Sequence, residues 1–314
     1  GTLANNVSDV DNAGSLTDDL DFTVVGGGTY GSLTLNTETG AWTYTLNNSD
    51  ADTQALNKGE TAVEIYTYTV ADEAGATASA TMTITVVGGN DNPLATVDEG
   101  GTVSEAGGLA NGSAGTPVAT GTFANNVSDI DNSGNLTDDL DFTVVGGGTY
   151  GSLALNTETG AWTYTLNNSD ADTQALNAGQ TAVETFTYTV NDEVGATASA
   201  TMTVTIFGQN DNPTANNDEG GSVSEAGGIA NAVPGTPTAT GTFANNVSDV
   251  DNAGSLTDDL DFTVVGGGTY GSLTLNTETG AWTYTLNNSD ADTQRLNAGQ
   301  TATETFTYTV NDEA

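Results

Sequence analysis

This sequence predicts an all-β protein: Greek-key β-sandwiches of immunoglobulin-like form, strung in tandem as a linear array. Three observations predict it. The chain repeats with a period of 120 residues, so that Trp42, Trp162 and Trp282 each lie inside the same string Gly-Ala-Trp-Thr-Tyr-Thr-Leu-Asn-Asn-Ser-Asp-Ala-Asp-Thr-Gln. Within each period, short runs alternate apolar residues with Thr or Ser, the period-2 signature of half-buried strands. Gly, Asn and Asp punctuate the runs at intervals that suit turns. A period of roughly 20–50 residues would mean a solenoid. The longer period seen here is the size of a domain that buries its own core. The copies are nearly interchangeable, since residues 1–54 and 241–294 differ only at Leu3 against Phe243.

The periodicity divides the chain into a partial repeat at 1–92, a complete one at 93–212 and a partial one at 213–314. The first copy lacks the Asp-Glu-Gly-Gly to Thr-Pro region that opens the others, and the last stops before a final strand. An excerpt from a longer array is the expected context.

In the complete copy, strands are expected first near 101–104 (as at Gly221 to Ser224 in the next copy), at 116–123 and at 141–145. Residues 150–156 and 161–166 follow as a hairpin whose Gly160 supplies the positive φ of the turn. Its buried face is Leu153, Leu155, Trp162, Tyr164 and Leu166. Ser169 to Leu176 resembles a single helical turn with Ser169 or Asp170 as N-cap. In residues 184–190, Phe186, Tyr188 and Val190 face inward and the threonines outward, and 201–206 repeats the scheme with Met202, Val204 and Ile206. The expected result is seven or so antiparallel strands around one core containing Trp162, Tyr164, Phe186, Tyr188, Val204 and Ile206. Flat threonine arrays can order water, but Thr also suits any exposed strand face, and that simpler account is adopted.

Composition excludes several functions. Forty-two Asp and Glu stand against Lys58 and Arg295, a net charge of −40. Nucleic acid is not a partner for such a chain, because phosphate binding needs cationic neutralisation. Anionic membrane surfaces are disfavoured likewise, and no apolar run is long enough to insert in a bilayer. The sequence has no Cys and no His. Disulfides, thiolate or imidazole metal sites and Ser-His or Cys-His nucleophiles are therefore absent. Self-repulsion on this scale weakens a compact state, and bound cations are its natural remedy.

The acids cluster rather than spread. In the complete copy they fall at Asp98-Glu99 with Glu105, at Asp129-x-Asp131-Asn132, at Asp138-Asp139-Leu140-Asp141, at Asp170-x-Asp172 and at Asn191-Asp192-Glu193. Asn90-Asp91-Asn92-Pro93 recurs as Asn210-Asp211-Asn212-Pro213 between copies. Carboxylates and Asn amides on irregular backbone, with no nitrogen or sulfur donors, are the chemistry of Ca2+. Asp138, Asp139 and Asp141 read as a charged approach to a strand rather than as a separate site.

The runs Tyr-Gly-Ser-Leu-x-Leu-Asn-x-x-Thr-Gly-Ala-Trp-Thr-Tyr-Thr-Leu-Asn and Phe-Thr-Tyr-Thr-Val-x-Asp-Glu, closed by Asn-Asp-Asn-Pro, resemble the VCBS repeat over the whole chain. That family belongs to the bacterial cadherin-like domains, which form extender regions of giant secreted (RTX-type) adhesins. The resemblance implies cadherin-like sandwiches, an extracellular bacterial setting and calcium at each junction, where cadherins carry a D-x-N-D-N linker. On that plan the first junction draws on Asp50, Asp52, Asn90, Asp91, Asn92, Asp129, Asp131 and Asp192. The second draws on Glu105, Asp170, Asp172, Asn210, Asp211, Asn212, Asp249, Asp251 and Asp312. Gly88 and Gly208 stand where the linker motif has its first Asp, so each junction has one carboxylate fewer than the cadherin plan.

Beads of this kind predict a structural extender, a calcium-rigidified rod that spaces a binding domain from a cell surface. Its partners are the neighbouring repeats of the same chain. A filament shaft built from other copies is the related alternative, and a carbohydrate-binding module a more distant one, since the Trp and most Tyr sit in the inward phase. No catalytic residue is expected: a glycosidase pair of carboxylates would have to be rebuilt in every copy.

Overall fold

The computed structural model describes residues 1–11, 19–131, 140–251 and 260–312. Among the described residues, the two main sheets of the middle unit are built from seven strands: β1 (Asp98–Ser104), β2 (Val118–Thr122), β3 (Leu140–Gly146), β4 (Gly151–Leu155), β5 (Ala161–Leu166), β6 (Thr181–Asp192) and β7 (Thr197–Phe207). One sheet runs β3-β6-β7-β1 and the other β4-β5-β2. The two close on a core of 14 buried residues. All six expected core residues, Trp162 to Ile206, lie in it, with Phe123 stacked on Tyr188 at 4.2 Å.

Alternation explains the sheets. Along β6, Glu184, Phe186, Tyr188, Val190 and Asp192 are buried, while the intervening residues are exposed or half-buried. Across the outer face Thr185 lies opposite Thr203 and Thr187 opposite Thr201. In the hairpin, Leu153 and Leu155 are half-buried against the core that Trp162, Tyr164 and Leu166 enter fully. Gly160 has φ 67°, as its turn requires. A four-residue helix, α1 (Ala171–Gln174), follows, and its N-cap is Asp170, which accepts from the Asp172 N–H.

Two expectations are corrected. The pairing of β7 with β1 is parallel, with a register irregularity between Met202 and Val204. Side-chain alternation is the same for either direction, so the sequence pattern carried no sign of it. In the third unit the stretch 221–224 forms no strand, having no equivalent of β7 to pair with among the described residues. The outer units keep smaller cores around Phe22 and Phe262.

Immediately after each Asn-Asp-Asn-Pro, a two-residue strand joins the following unit: Leu94–Ala95 pairs with Val127–Ser128, and Thr214–Ala215 with Val247–Ser248. These short ladders carry the linker directly onto the Asp-x-Asp turn of the unit that follows. Among the described residues, no helix is long and apolar enough to cross a membrane.

Candidate calcium junctions

At the first junction the linker is fastened by carboxylates of the middle unit. The Asp91 N–H donates to Asp131 Oδ2 at 2.7 Å, and Asn90 Nδ2 donates to Asp192 Oδ2 at 2.8 Å. Asp129 Oδ1 accepts from the Asp131 N–H at 3.2 Å. Asp129, Asp131 and Asp192 are all buried. Burial, and next the charges of Asp91 and Asp192, hold the Asp131 carboxyl above its ordinary range, although the Asp91 N–H pulls the other way. Asp129 is raised for the same first reason, with Asp131, Asp192 and Asp91 adding to it.

The second junction repeats this geometry and adds a glutamate from the preceding unit. The Asp211 N–H donates to Asp251 Oδ2 at 2.7 Å and Asn210 Nδ2 to Asp312 Oδ2 at 3.0 Å. The Gln209 N–H donates to Glu105 Oε1 at 2.7 Å. Glu105 is fully buried. Burial pushes its carboxyl up to about 7, with the charges of Asp211 and Asp251 contributing. Asp251 is pushed up to about 6, by burial first and then by Asp211, Asp249 and Asp312. Asp211 is raised by burial and by the adjacent Asp249, itself buried.

Thus Glu105, Asp211, Asp249, Asp251 and Asp312 converge on the second linker, and Asp91, Asp129, Asp131 and Asp192 on the first. Asn92 and Asn212 are exposed at the linker surface. Asp50 and Asp170 cap their short helices through Oδ1, at 3.0 and 2.9 Å from the N–H of Asp52 and Asp172. Among the described residues, no hydrogen bond ties these four acids to the linker. Of the remaining acidic cluster, Asp138, Asp139 and the neighbouring Asn132 lie outside the described residues, and Asp141 is exposed on β3.

The residues fit a hard cation. Asp131 Oδ1, Glu105 Oε2, Asp211 Oδ2 and Asp251 Oδ1 are buried with no hydrogen-bond partner. A carboxylate removed from water without compensation costs several kcal/mol, and Ca2+ satisfies carboxylate oxygens of this kind. No cationic side chain answers them: among the described residues the single ion pair is the exposed Arg295–Asp292. Among the described residues, no three carboxylates are drawn together closely enough to hold a metal as they stand. Asp129, Asp131, Asp251 and Glu105 are turned onto linker or turn N–H groups instead of onto a common centre.

The missing linker Asp has a steric cause. A Cβ on Gly88 would lie 2.3 Å from the Asn57 carbonyl oxygen, and one on Gly208 would lie 2.2 Å from that of Leu176. No side chain fits there.

Sequence reasoning missed Gln174 and Asn111. Gln174 sits on α1, beside the Asn111 carboxamide and near enough to Glu105 to draw its pKa down. The signal was present: Gln54, Gln174 and Gln294 recur two residues after the second Asp of each Asp-x-Asp turn, and Gln294 Nε2 donates to Glu225 Oε2 at 3.1 Å.

Sandwiches repeated in tandem through acidic linkers define a cadherin-like modular array. The chain belongs to the bacterial cadherin-like domain family, whose model matches residues 1–88, 90–208 and 210–314. Among solved structures it is similar to human CDH23 EC21-23, at 13% identity over 94% of this chain and 89% of that one, with a TM-score of 0.47. Mouse cadherin-23 EC22-24 is 15% identical over 88% of this chain and 78% of its own, with a TM-score of 0.44. The protocadherin GammaB4 extracellular domain is 16% identical over 96% of this chain but 42% of its own, with a TM-score of 0.49. A search of curated proteins returned no match.

Proposed function

We propose that this chain is a stretch of the extender of an extracellular bacterial adhesin, a rod of VCBS-type sandwiches divided after Asn92 and Asn212. Its junctions stiffen when they take up Ca2+, and the rod spaces a binding domain from the cell surface. The observation that carries the reading is the gathering of buried carboxylates at each linker, with unpartnered oxygens on Glu105, Asp211 and Asp251 at the second and on Asp131 at the first, in a chain with two cationic side chains.

At the second junction the proposed ligands are Glu105 from the middle unit, Asp211 with Asn210 and Asn212 from the linker, and Asp249, Asp251 and Asp312 from the third unit. At the first they are Asp91, Asn90 and Asn92 with Asp129, Asp131 and Asp192. Asp50, Asp52, Asp170 and Asp172 complete the set from the family resemblance. The position of Asp172 supports this, since it shares a helical turn with Gln174, whose carboxamide meets that of Asn111 beside Asp211. A bound calcium would supply the positive charge that carboxylates of two units share. Without it, unit charges a few ångströms apart repel by about 1 kcal/mol per pair even in water, and by more where water is excluded.

Extracellular modules of this type bind with Kd of about 10⁻⁴–10⁻³ M, so the rod is expected to be stiff in calcium-rich surroundings and slack before export. Small-angle scattering in millimolar Ca2+ and in EDTA tests this. The expected result is a longer, less flexible particle with Ca2+. Asp211→Ala with Asp251→Ala should abolish the difference at the second hinge while each sandwich stays folded. A maximum dimension and flexibility indifferent to chelation would reject the reading.

A further inference from the structure

The loop at residues 106–113 makes contacts at the second junction that the acidic pattern does not require. Gly107 lies so close to the linker that a Cβ on it would sit 2.6 Å from the Asn210 carbonyl oxygen and 2.6 Å from the Gln209 Cβ. The next N–H, that of Gly108, donates to the same Asn210 carbonyl at 2.6 Å. Asn111 takes a left-handed conformation, φ 57°, which Asn tolerates better than most residues. Its carboxamide nitrogen donates to the Ala106 carbonyl at 2.7 Å and to Asp211 Oδ1 at 3.1 Å, and its oxygen faces the Gln174 carboxamide at 3.0 Å. With the amide reversed, its oxygen would face a carbonyl and a carboxylate, so chemistry selects this orientation.

The third unit holds the same loop, and among the described residues no linker lies against it. Gly227 pairs with Val233 as Gly107 pairs with Ser113, and Ala230 and Asn231 repeat the left-handed pair. A Cβ on Gly227, however, would meet nothing within 4 Å, and Asn231 is exposed. The loop therefore keeps its shape without a linker beside it, and at the second junction that preformed shape meets residues 209–211.

We infer that residues 106–113 form a neutral clasp that seats the linker on the middle unit without any cation. The inference rests on the calcium reading of the same junction and adds which side of the hinge stays closed when the ion is absent. The middle unit grips the linker partly through uncharged donors, the Gly108 N–H and the Asn111 carboxamide. The third unit holds residues 210 and 211 through the carboxylates of Asp251 and Asp312, the groups that repulsion drives apart, and its neutral ladder to the chain begins only at Thr214. Chelation then frees the third unit and leaves residues 209–211 on the middle one.

Hydrogen–deuterium exchange on the full 314-residue chain in EDTA tests this. Gly107→Ala inserts a Cβ into the contact, and Asn111→Gly deletes the carboxamide while keeping the left-handed backbone accessible. Gly227→Ala and Asn231→Gly are the matched controls. Exchange across 106–113 and 207–211 is expected to rise roughly tenfold in the two clasp variants, as befits one or two lost hydrogen bonds, and to stay at the wild-type rate in the controls. Exchange in β7 reports whether the sandwich remains folded; if Gly107→Ala loosens it, Asn111→Gly decides. A wild-type linker that already exchanges in EDTA as fast as both variants overturns the clasp. The calcium reading has its own arm: Ca2+ added to wild type should slow exchange around Asp251 and Asp312, and failure there leaves the EDTA comparison intact.

Discussion

A glutamate buried in a sheet of threonines and aromatics is the residue that departs furthest from the inside-apolar pattern. Glu184 and Glu64 are each 3% exposed. Glu184 accepts from the Thr149 and Tyr150 N–H groups and from the Tyr164 hydroxyl, tying the Gly-rich loop after β3 to both sheets. Glu64 accepts from the Tyr30 N–H at 2.8 Å and from the hydroxyl of Tyr66, on its own strand, at 2.9 Å. Burial pushes the Glu64 carboxyl up. Hydrogen bonds from the Tyr30 N–H and the Tyr66 hydroxyl lead the opposing effects, which bring the net value below the ordinary 4.5. Glu304 is lowered for the same balance of reasons. A depressed folded-state value means the ionised form stabilises the fold above the unfolded value, and that stabilisation is lost as pH falls through the folded one. Glu64→Gln leaves a buried donor facing donors and is expected to destabilise the first unit by about 1–3 kcal/mol near neutral pH. The deficit should shrink as pH drops below the ordinary carboxylate range. Urea midpoints of both proteins at neutral pH and in acid provide the check, and a deficit unchanged by acid would count against the assignment. The strand phase already placed Glu184 on the side of Phe186 and Tyr188. What it did not disclose was the loop that folds over to meet it.

At the scale of elements, the linker shows where likeness to a motif and local packing disagree. The D-x-N-D-N pattern suggests that an Asp at Gly208 would complete the junction, but the carbonyl oxygens of Leu176 and Asn177 would lie 2.2 and 2.4 Å from its Cβ. Gly208→Asp is therefore expected to destabilise the middle unit by about 1–3 kcal/mol, the usual range for overpacking, without raising the number of calcium ions bound. Urea denaturation together with calorimetric titration decides it; an extra calcium equivalent at undiminished stability would refute the steric account. The same contrast marks what the sequence discloses. The strands, the hairpin turn at Gly160 and the Asp170 cap were legible because alternation, positive φ and N-capping are properties of a few neighbouring residues. The parallel direction of β1 was not, because alternation has no sense of direction. At the junctions, the Asp-x-Asp turns and the linker Asp announced themselves by charge. Asn111 and the close approach of Gly107 did not, because a neutral amide and a glycine backbone carry no charge, and Gln174 recurred with the period without a charge to mark it as part of the junction.

For the whole molecule the question is where a net charge of −40 is concentrated and what relieves it. The outer face of the β3-β6-β7 sheet is largely threonine and valine, with Asp141 at its margin. Glu105, Asp211, Asp249 and Asp251, by contrast, are packed around one linker. Repulsion on this plan acts mainly at the hinges, while the beads between them are held by their own cores. Monovalent salt should then act differently with and without calcium. The Debye length falls from about 30 Å at 0.01 M to about 3 Å at 1 M ionic strength. In EDTA, screening on that scale should let neighbouring units fold toward one another, and the radius of gyration should fall steadily as salt rises. In millimolar Ca2+ the hinge carboxylates are neutralised locally, at distances too short for screening ions to enter, so the radius of gyration should change far less. A scattering series in NaCl, run in parallel with and without Ca2+, separates the two. Equal contraction in both would mean that the repulsion is spread along the beads and that the junctions hold no special share of it.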